Sequence, residues 1–397
     1  MRPMHVLSPL LLGLSLAPMA AAAAPNDPSL LGDWPTHVSF ADGTDLGVSA
    51  LWQYDLDRFS NDGGRFADAQ TNRRKYLGFY VKKKGVYDAK AEFDFQSKKW
   101  QDVYLRVQSK AWLGVDAGAF RVGQSKTPVG FEGNTSSNAT TFIELALPSQ
   151  AVYENRRIGV DWALQRPNWL ASLGYYGGDL QGDNDGHTLA ARVAWVPIDR
   201  VGEVLHLGLA ASRERPQSSV DGNGVETPPS ARLRATPEAG LTPVRLVDSG
   251  ALKDVDHIDR GGLEALWIDG PWSLQGEYLH ARTSFEAGRQ PAYSADGWYV
   301  FGSWVLTGES RPYRGGTVGN IVPSRPWGAV EVALRYSELD LDGASVAGGR
   351  EHDWTLGANW YLGRHLRLQA NYIRAFSDRR GLAVDPHIFE LRAALAF

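Results

Sequence analysis

The chain has 397 residues and no cysteine, with 41 lysines and arginines against 45 aspartates and glutamates and a formal net charge of -4. The missing thiols exclude a cysteine nucleophile, disulfides and thiolate-ligated metal, and the slight acidity leaves no basic stripe for nucleic acid. Any preference for anions must therefore come from where the cations sit rather than from the total charge.

In chain order, Arg2 and His5 precede an apolar run from Leu10 to Ala17, and Met19 to Ala24 supply small residues for cleavage. This predicts a secretory signal peptide over residues 1–24. No later stretch of about 18 apolar residues exists, so no membrane-spanning helix is predicted. A polar lead over 25–45 follows, and then segments of period two recur to the end of the chain. Val48, Ala50, Trp52, Tyr54 and Leu56 alternate with Ser49, Gln53 and Asp55. Ala89, Ala91, Phe93 and Phe95 alternate with Lys90, Glu92 and Asp94. The same rhythm carries Ile158–Leu164, Leu205–Ala211, Val330–Tyr336 and Phe389–Phe397. Strict alternation predicts strands with one oily face and one wet face.

Turn-like connections separate many of these strands, at Lys83–Val86, Gln165–Asn168, Asp269–Pro271 and Gly363–His365. Longer polar ones run over Ser60–Asn72, Arg213–Asp259, Glu309–Trp327 and Asp342–Glu351. Short turns at one end and long loops at the other are the asymmetry of an outer-membrane barrel. The Trp and Tyr content suits membrane interfaces. About 370 residues at roughly 23 per strand and connection give about 16 strands of about 10 residues. The expected fold is all-β, a single transmembrane antiparallel β-barrel over residues 46–397 with no internal domain boundary.

The stretch Arg121–Leu147 breaks the rhythm, with Pro128 and Gly130 followed by the small polar run Gly133–Thr141. It reads either as a plain extracellular loop or as a loop folded into the lumen. On the strand before it, Arg74, Tyr76, Gly78 and Tyr80 share one face, while Leu77, Phe79 and Val81 share the other. A guanidinium on the lipid face near mid-bilayer costs about 2–4 kcal/mol, so Arg74 is expected to face water. The alternative places Arg73 and Arg74 at headgroup level.

Several patches together resemble the phosphate-selective porin O/P family: RVGQSKTPVGFE (121–132), NRRKYLGF (72–79), VLHLGL (204–209), SWVLTGESRPY (303–313) and LGANWYLGRHLRLQANY (356–372). The resemblance implies a trimeric barrel of 16 strands in the bacterial outer membrane. Its lumen would carry a ladder of arginines and a constriction that selects anions such as phosphate, polyphosphate or organic phosphates. Matched position by position, it implies that Arg73, Arg74 and Tyr76 belong to the constriction, with Asp102 as its balancing carboxylate. Ser136 and Ser137 match serines of an in-folded loop, and Arg232, Arg234 and, less closely, Arg245 match ladder arginines. One position departs from the pattern. Tight phosphate binders carry a lysine just after the Gly-x-Glu turn, where this chain has Gly133, while Lys126 stands a few residues earlier. That departure favours a general anion or organic-phosphate channel. Without the resemblance, the arginines of the long loop read equally as a solvated loop.

Two other functions compete with a channel. Neither a Gly-x-Ser-x-Gly elbow nor a histidine pair at metal-ligand spacing is present, so no enzyme, metal or cofactor is expected. A closed anchor or adhesin barrel would need bulky apolar residues at inward positions, and here those positions hold Ser, Gln, Asp, Arg and Gly.

Overall fold

The computed structural model describes residues 34–220, 224–343 and 345–397. The predicted signal peptide lies outside these residues, and the polar lead is described from Trp34, with His37–Ser39 pairing onto Asp45–Gly47.

Sixteen antiparallel strands close into one barrel. The first five are β1 (Thr44–Ser60), β2 (Ala69–Lys83), β3 (Tyr87–Asp94), β4 (Lys99–Gln108) and β5 (Ala119–Lys126). After a long connection come β6 (Arg156–Arg166), β7 (Trp169–Tyr176), β8 (His187–Arg200) and β9 (Glu203–Arg215). A second long connection leads to β10 (Val255–Asp269), β11 (Trp272–Phe285) and β12 (Tyr293–Val305). The wall ends with β13 (Ala329–Gly343), β14 (Val346–Leu362), β15 (Leu366–Arg379) and β16 (His387–Ala396). β16 pairs with β15 on one side and with β1 on the other, in the register Leu51↔Ala396 to Ser60↔His387. Closure removes both sheet edges, so the backbone groups at membrane depth are hydrogen-bonded within the wall.

The alternation read from the sequence is the alternation of the wall. Leu207, Leu209, Leu263, Leu274, Leu334 and Leu356 are exposed on the outside, whereas Gln275, Glu277, Glu331, Arg335, Thr355 and Arg392 are buried within. Aromatic rings bound the oily band. Trp272 stacks on Trp304 at 4.6 Å beside the tight turns, and Tyr336 packs at 5.0 Å from Trp298 and from Trp354 further along the strands. The six residue steps from Trp272 to Tyr278 span about 20 Å of strand, which suits the apolar band of a transmembrane barrel.

The four predicted tight turns share one end of the barrel, and Ser60–Asn72 and Arg213–Asp259 lie at the other. Two connections differ from expectation. Asp342–Glu351 is no loop, because β13 runs to Gly343 and β14 begins at Val346. Residues 306–328 are long and polar, yet they join β12 to β13 at the tight-turn end. That segment folds inward, carrying a two-residue ladder of Tyr313–Arg314 on Thr317–Val318.

Inside the barrel, loops build an apolar core that the wall alone could not. Leu147 and Val152 of the third long-end loop (residues 127–155) meet Leu233, Ala235 and Val247 of the fifth (216–254), over Leu279, Ala281, Tyr293 and Leu339 of the wall. A second cluster joins Phe131 to Val196, Val204, Leu266, Ile268 and Val318. These clusters occupy the side of β8–β13, so the water-filled space is displaced toward β1–β7. Arg335 of β13 ties the two loops to the wall. It lies 2.5 Å from Glu238 of the fifth loop and 3.1 Å from Glu132 of the third, and donates to the Glu144 carbonyl at 3.2 Å. Its guanidinium also sits 4.3 Å over the Phe142 ring.

Arg335→Met would leave Glu132 and Glu238 buried without their cation, a loss of about 3–5 kcal/mol for a broken buried pair. The expected outcome is a lower guanidinium unfolding midpoint in detergent and protease cleavage within the fifth loop. An unchanged midpoint with intact loops would remove Arg335 from this role.

Candidate functional site

β1 and β2 pair Gln53 with Arg74 and then Tyr54 with Asn72, so Arg73 is an extra residue in the ladder. A bulge of this kind puts two consecutive side chains on one face, where a regular strand would send them to opposite faces. Both guanidiniums enter the lumen as a result. Arg74 Nη1 donates to Gln53 Oε1 at 2.7 Å, and Arg73 Nε donates to Glu144 Oε1 of the third loop at 3.0 Å. Glu144 also receives Arg392 Nη2 at 3.2 Å, and Arg392 in turn grips Asp55 at 2.5 and 2.7 Å. Burial alone would raise the Glu144 carboxyl, but Arg73, Arg74 and Arg392 hold it at about 2. Glu144 is thus ionised and docks the loop against the wall. The Arg73 charge is largely spent on it, while Arg74 faces a neutral amide.

The third loop itself is shaped by its first turn. Gly130, at φ 82, opens the helical turn α1 (Phe131–Asn134). The backbone N–H groups of Phe131 and Glu132 at its start donate to the Glu277 carboxylate of β11. Glu132 reaches back to accept from Ala146 N at 2.9 Å. Lys126, the last residue of β5, donates from Nζ to the carbonyls of Gly133 at 2.8 Å and Thr135 at 2.7 Å. A Cβ on Gly133 would come within 2.6 Å of the Tyr153 ring. Tyr153 therefore takes the room that a lysine at position 133 would need.

Tyr76, Asp102, Lys126, Ser136 and Ser137 line one cavity of about 480 Å³ under the loop. Sequence reasoning did not single out its other charged members, Lys90, Glu92, Arg156 and Arg364. Arg156 Nε donates to Asp102 at 2.7 Å, and Lys90 pairs with Glu92 at 2.7 Å. For Lys90 and Glu92 the polar parity of β3 was the available signal, whereas Arg156 shares the parity of Ile158 and Val160 and alternation gave none.

Arg232, Arg234 and Arg245 gather elsewhere, in a cavity of about 360 Å³ toward the long-loop end that also holds Arg157 and Arg260. Arg232 forms a bidentate pair with Asp248. Arg245 donates to the Thr242 carbonyl at 3.3 Å, and burial together with neighbouring Arg234 pushes its guanidinium down from the ordinary value. The Arg234 backbone pairs with Asp248, and its side chain has no hydrogen bond or ion pair among the described residues. The expected site residues thus form two groups, one at the third loop and one at the fifth.

A third cavity, of about 390 Å³, opens on the tight-turn side between Arg106 and Arg121 on the wall and Gly315 and Thr317 of the in-folded segment. It shares Lys126, Asn134 and Thr317 with the cavity under the loop, so Lys126 stands where the two meet. The segment is fixed by Tyr313 Oη on His206 Nδ1 at 2.8 Å, by Arg192 donating to the Gly316 carbonyl at 2.7 Å, and by Arg311 paired with Glu331.

A closed barrel with an oily belt and a loop-narrowed, charged lumen defines an outer-membrane porin of bacteria. The family model Phosphate-selective porin O and P matches residues 46–397, and the chain belongs to that family. Porin O of Pseudomonas aeruginosa is 26% identical over 366 residues, covering 82% of this chain and 80% of that protein. An uncharacterized protein of Caulobacter vibrioides is 26% identical over 304 residues, 72% of this chain, and the match spans 58% of that relative's length. Among solved structures, the anion-selective porin from Comamonas acidovorans aligns with a TM-score of 0.56 and 13% identity, over 89% of this chain and 100% of that one. The outer membrane channel DcaP of Acinetobacter baumannii aligns with a TM-score of 0.56 and 10% identity, over 91% and 100%. At these identities the likeness is one of fold.

Glu144→Gln should free Arg73 and Arg392 of their shared carboxylate and shift the reversal potential toward anions. A depressed carboxyl contributes fully above the ordinary value of 4.5 and is lost as pH falls toward about 2. The difference between variant and wild type should therefore persist from pH 7 to pH 4. A difference that disappears by pH 5 would contradict the depressed Glu144.

Proposed function

We propose that the protein is a passive diffusion channel selective for anions, phosphate and organic phosphates among them, and that it catalyses no reaction. The observation that carries this reading is a pair of lumen cations that, among the described residues, are hydrogen-bonded to neutral partners. Arg74 is held by the neutral Gln53, and Lys126 by two backbone carbonyls. The neighbouring cations are balanced, Arg73 and Arg392 by Glu144 and Asp55, and Arg156 by Asp102. An uncompensated cation in a narrow, poorly hydrated passage attracts counter-ions far more strongly than the same charge at a free surface. Arg232, Arg234 and Arg245, around the cavity nearer the long-loop end, would concentrate anions before they reach the third loop.

We further propose a homotrimer embedded in outer-membrane lipid. The low wall of β3, β4 and β5, of 8, 10 and 8 residues, with Phe79, Leu105 and Val122 exposed beside it, would face the neighbouring copies.

The test is the reversal potential of purified protein in planar bilayers under a potassium chloride gradient. Anion preference is expected. Cation preference, or a protein that inserts but does not conduct, would overturn the reading, the second outcome favouring a closed barrel. Arg74→Ala should reduce the anion preference while the heat-modified shift of the folded barrel on gels is retained; an unchanged reversal potential would take Arg74 out of the passage.

A further inference from the structure

The cavity under the third loop is not built like a trap for bare phosphate. Resting on the anion-channel reading above, we infer that it accommodates monophosphate esters of polyhydroxylated compounds in preference to inorganic phosphate. Lys126 is held in this cavity by carbonyls, and an ammonium has three donors, of which two are taken by Gly133 and Thr135. One N–H remains for a phosphate oxygen, with the Ser137 hydroxyl on the same wall. A second ammonium at position 133 is ruled out by packing, since the Tyr153 ring lies 2.6 Å from where a Cβ would stand. A phosphate dianion entering here meets the Lys126 ammonium beside Lys90 and Arg156, which are already paired with the carboxylates of Glu92 and Asp102, with Arg364 also in the lining. Like charges in a confined space oppose it.

The same carboxylates suit a different part of a solute. Asp102 is engaged by Arg156 through Oδ1, and Glu92 by Lys90 through Oε2. An ionised carboxylate has about four acceptor positions, so each retains lone pairs for hydroxyl donors. Tyr76 presents a phenol ring on the same wall. A polyol ester can place its phosphate at Lys126 and its hydroxyl groups at Asp102 and Glu92, so that attraction and hydrogen bonding act on separate parts of one molecule. The cavity of about 480 Å³ lies in the range of small-molecule sites, roughly 300–1,000 Å³.

The experiment is solute block of the chloride current through single channels of the full chain, with glucose 6-phosphate, inorganic phosphate and glucose as probes. Glucose 6-phosphate is expected to block at a concentration about tenfold lower than inorganic phosphate, and glucose to block weakly. Asp102→Asn should reverse the order, weakening the ester and strengthening phosphate, because Arg156 is then left without its carboxylate. Glu92→Gln should move the ratio the same way and serves if Asp102→Asn fails to fold. Lys126→Gln should abolish block by both phosphates. Inorganic phosphate blocking as well as the ester, or a ratio unmoved in the foldable carboxylate variant, would overturn the inference while leaving an anion channel intact. A cation-preferring wild type would instead overturn the reading on which the inference rests.

Discussion

The constraint on which the structure depends is that no backbone N–H or C=O may be left unpaired in lipid. A sheet meets it by closing on itself, and closure here is completed by β16 pairing with β1 through ten residues of register. The terminal residue takes part, with Phe397 N donating to Ala50 O at 3.0 Å and Ala50 N to Phe397 O at 2.8 Å. Closure also fixes where each side chain can go. With period two, one face of every strand meets lipid and the other meets whatever fills the barrel. The usual order of a soluble protein is inverted, oily outside and charged within.

That inversion creates a second problem, which the inner loops solve. Charges removed from water are costly unless they are paired and hydrogen-bonded. Arg335, Arg392 and Arg311 are fully or almost fully buried, and each meets carboxylates or carbonyls brought by another element. Arg335 binds the third and fifth loops, Arg392 the third loop, and Arg311 joins the in-folded segment to both β13 and the third loop. A loop that brought only apolar groups would leave Arg335 and Arg392 of the wall unmatched. A loop that brought only charges would lack the packing that Leu147, Leu233 and Val318 supply. The asymmetric distribution of these contacts moves the passage to one side of the barrel. The lumen charges on that side, less fully enclosed, stay available to solutes.

Legibility followed from what each feature depends on. Strand and turn positions depend on local alternation and were readable, as were the inward direction of Arg74 and its shared face with Tyr76. The inward direction of Arg73 depends on a bulge, which is set by the register between β1 and β2 and leaves no mark in the sequence of β2 alone. Residues 306–328 were misplaced for a different reason. Polarity and length mark a connection as wet, and a charged lumen is as wet as the cell exterior, so neither property tells which end the chain leaves from. The fifth loop raised the same ambiguity: Arg232 is neutralised by Asp248, a pairing across 16 residues that composition cannot announce. Lys90 and Glu92 stand on the polar face of β3 in the sequence, but Arg156 shares the parity of Ile158 and Val160, and the convergence of the three under one loop needed three dimensions.

Gly133 shows how a single position acts through its neighbours. In isolation it is an absence, a lysine site without a lysine. In the folded loop Tyr153 lies across it, and its backbone carbonyl accepts from Lys126. The cation reaches this region from β5 instead of from the loop, and it is anchored by backbone atoms that α1 holds in place through Glu277. A cation hydrogen-bonded to carbonyls has no counter-charge at its own bonds, whereas one hydrogen-bonded to a carboxylate does. Arg74 on Gln53 and Lys126 on Gly133 and Thr135 follow the first pattern, and Arg73 on Glu144 and Arg156 on Asp102 follow the second. The selectivity of such a lumen is therefore decided less by how many cations it contains than by which of them are held in place by neutral partners.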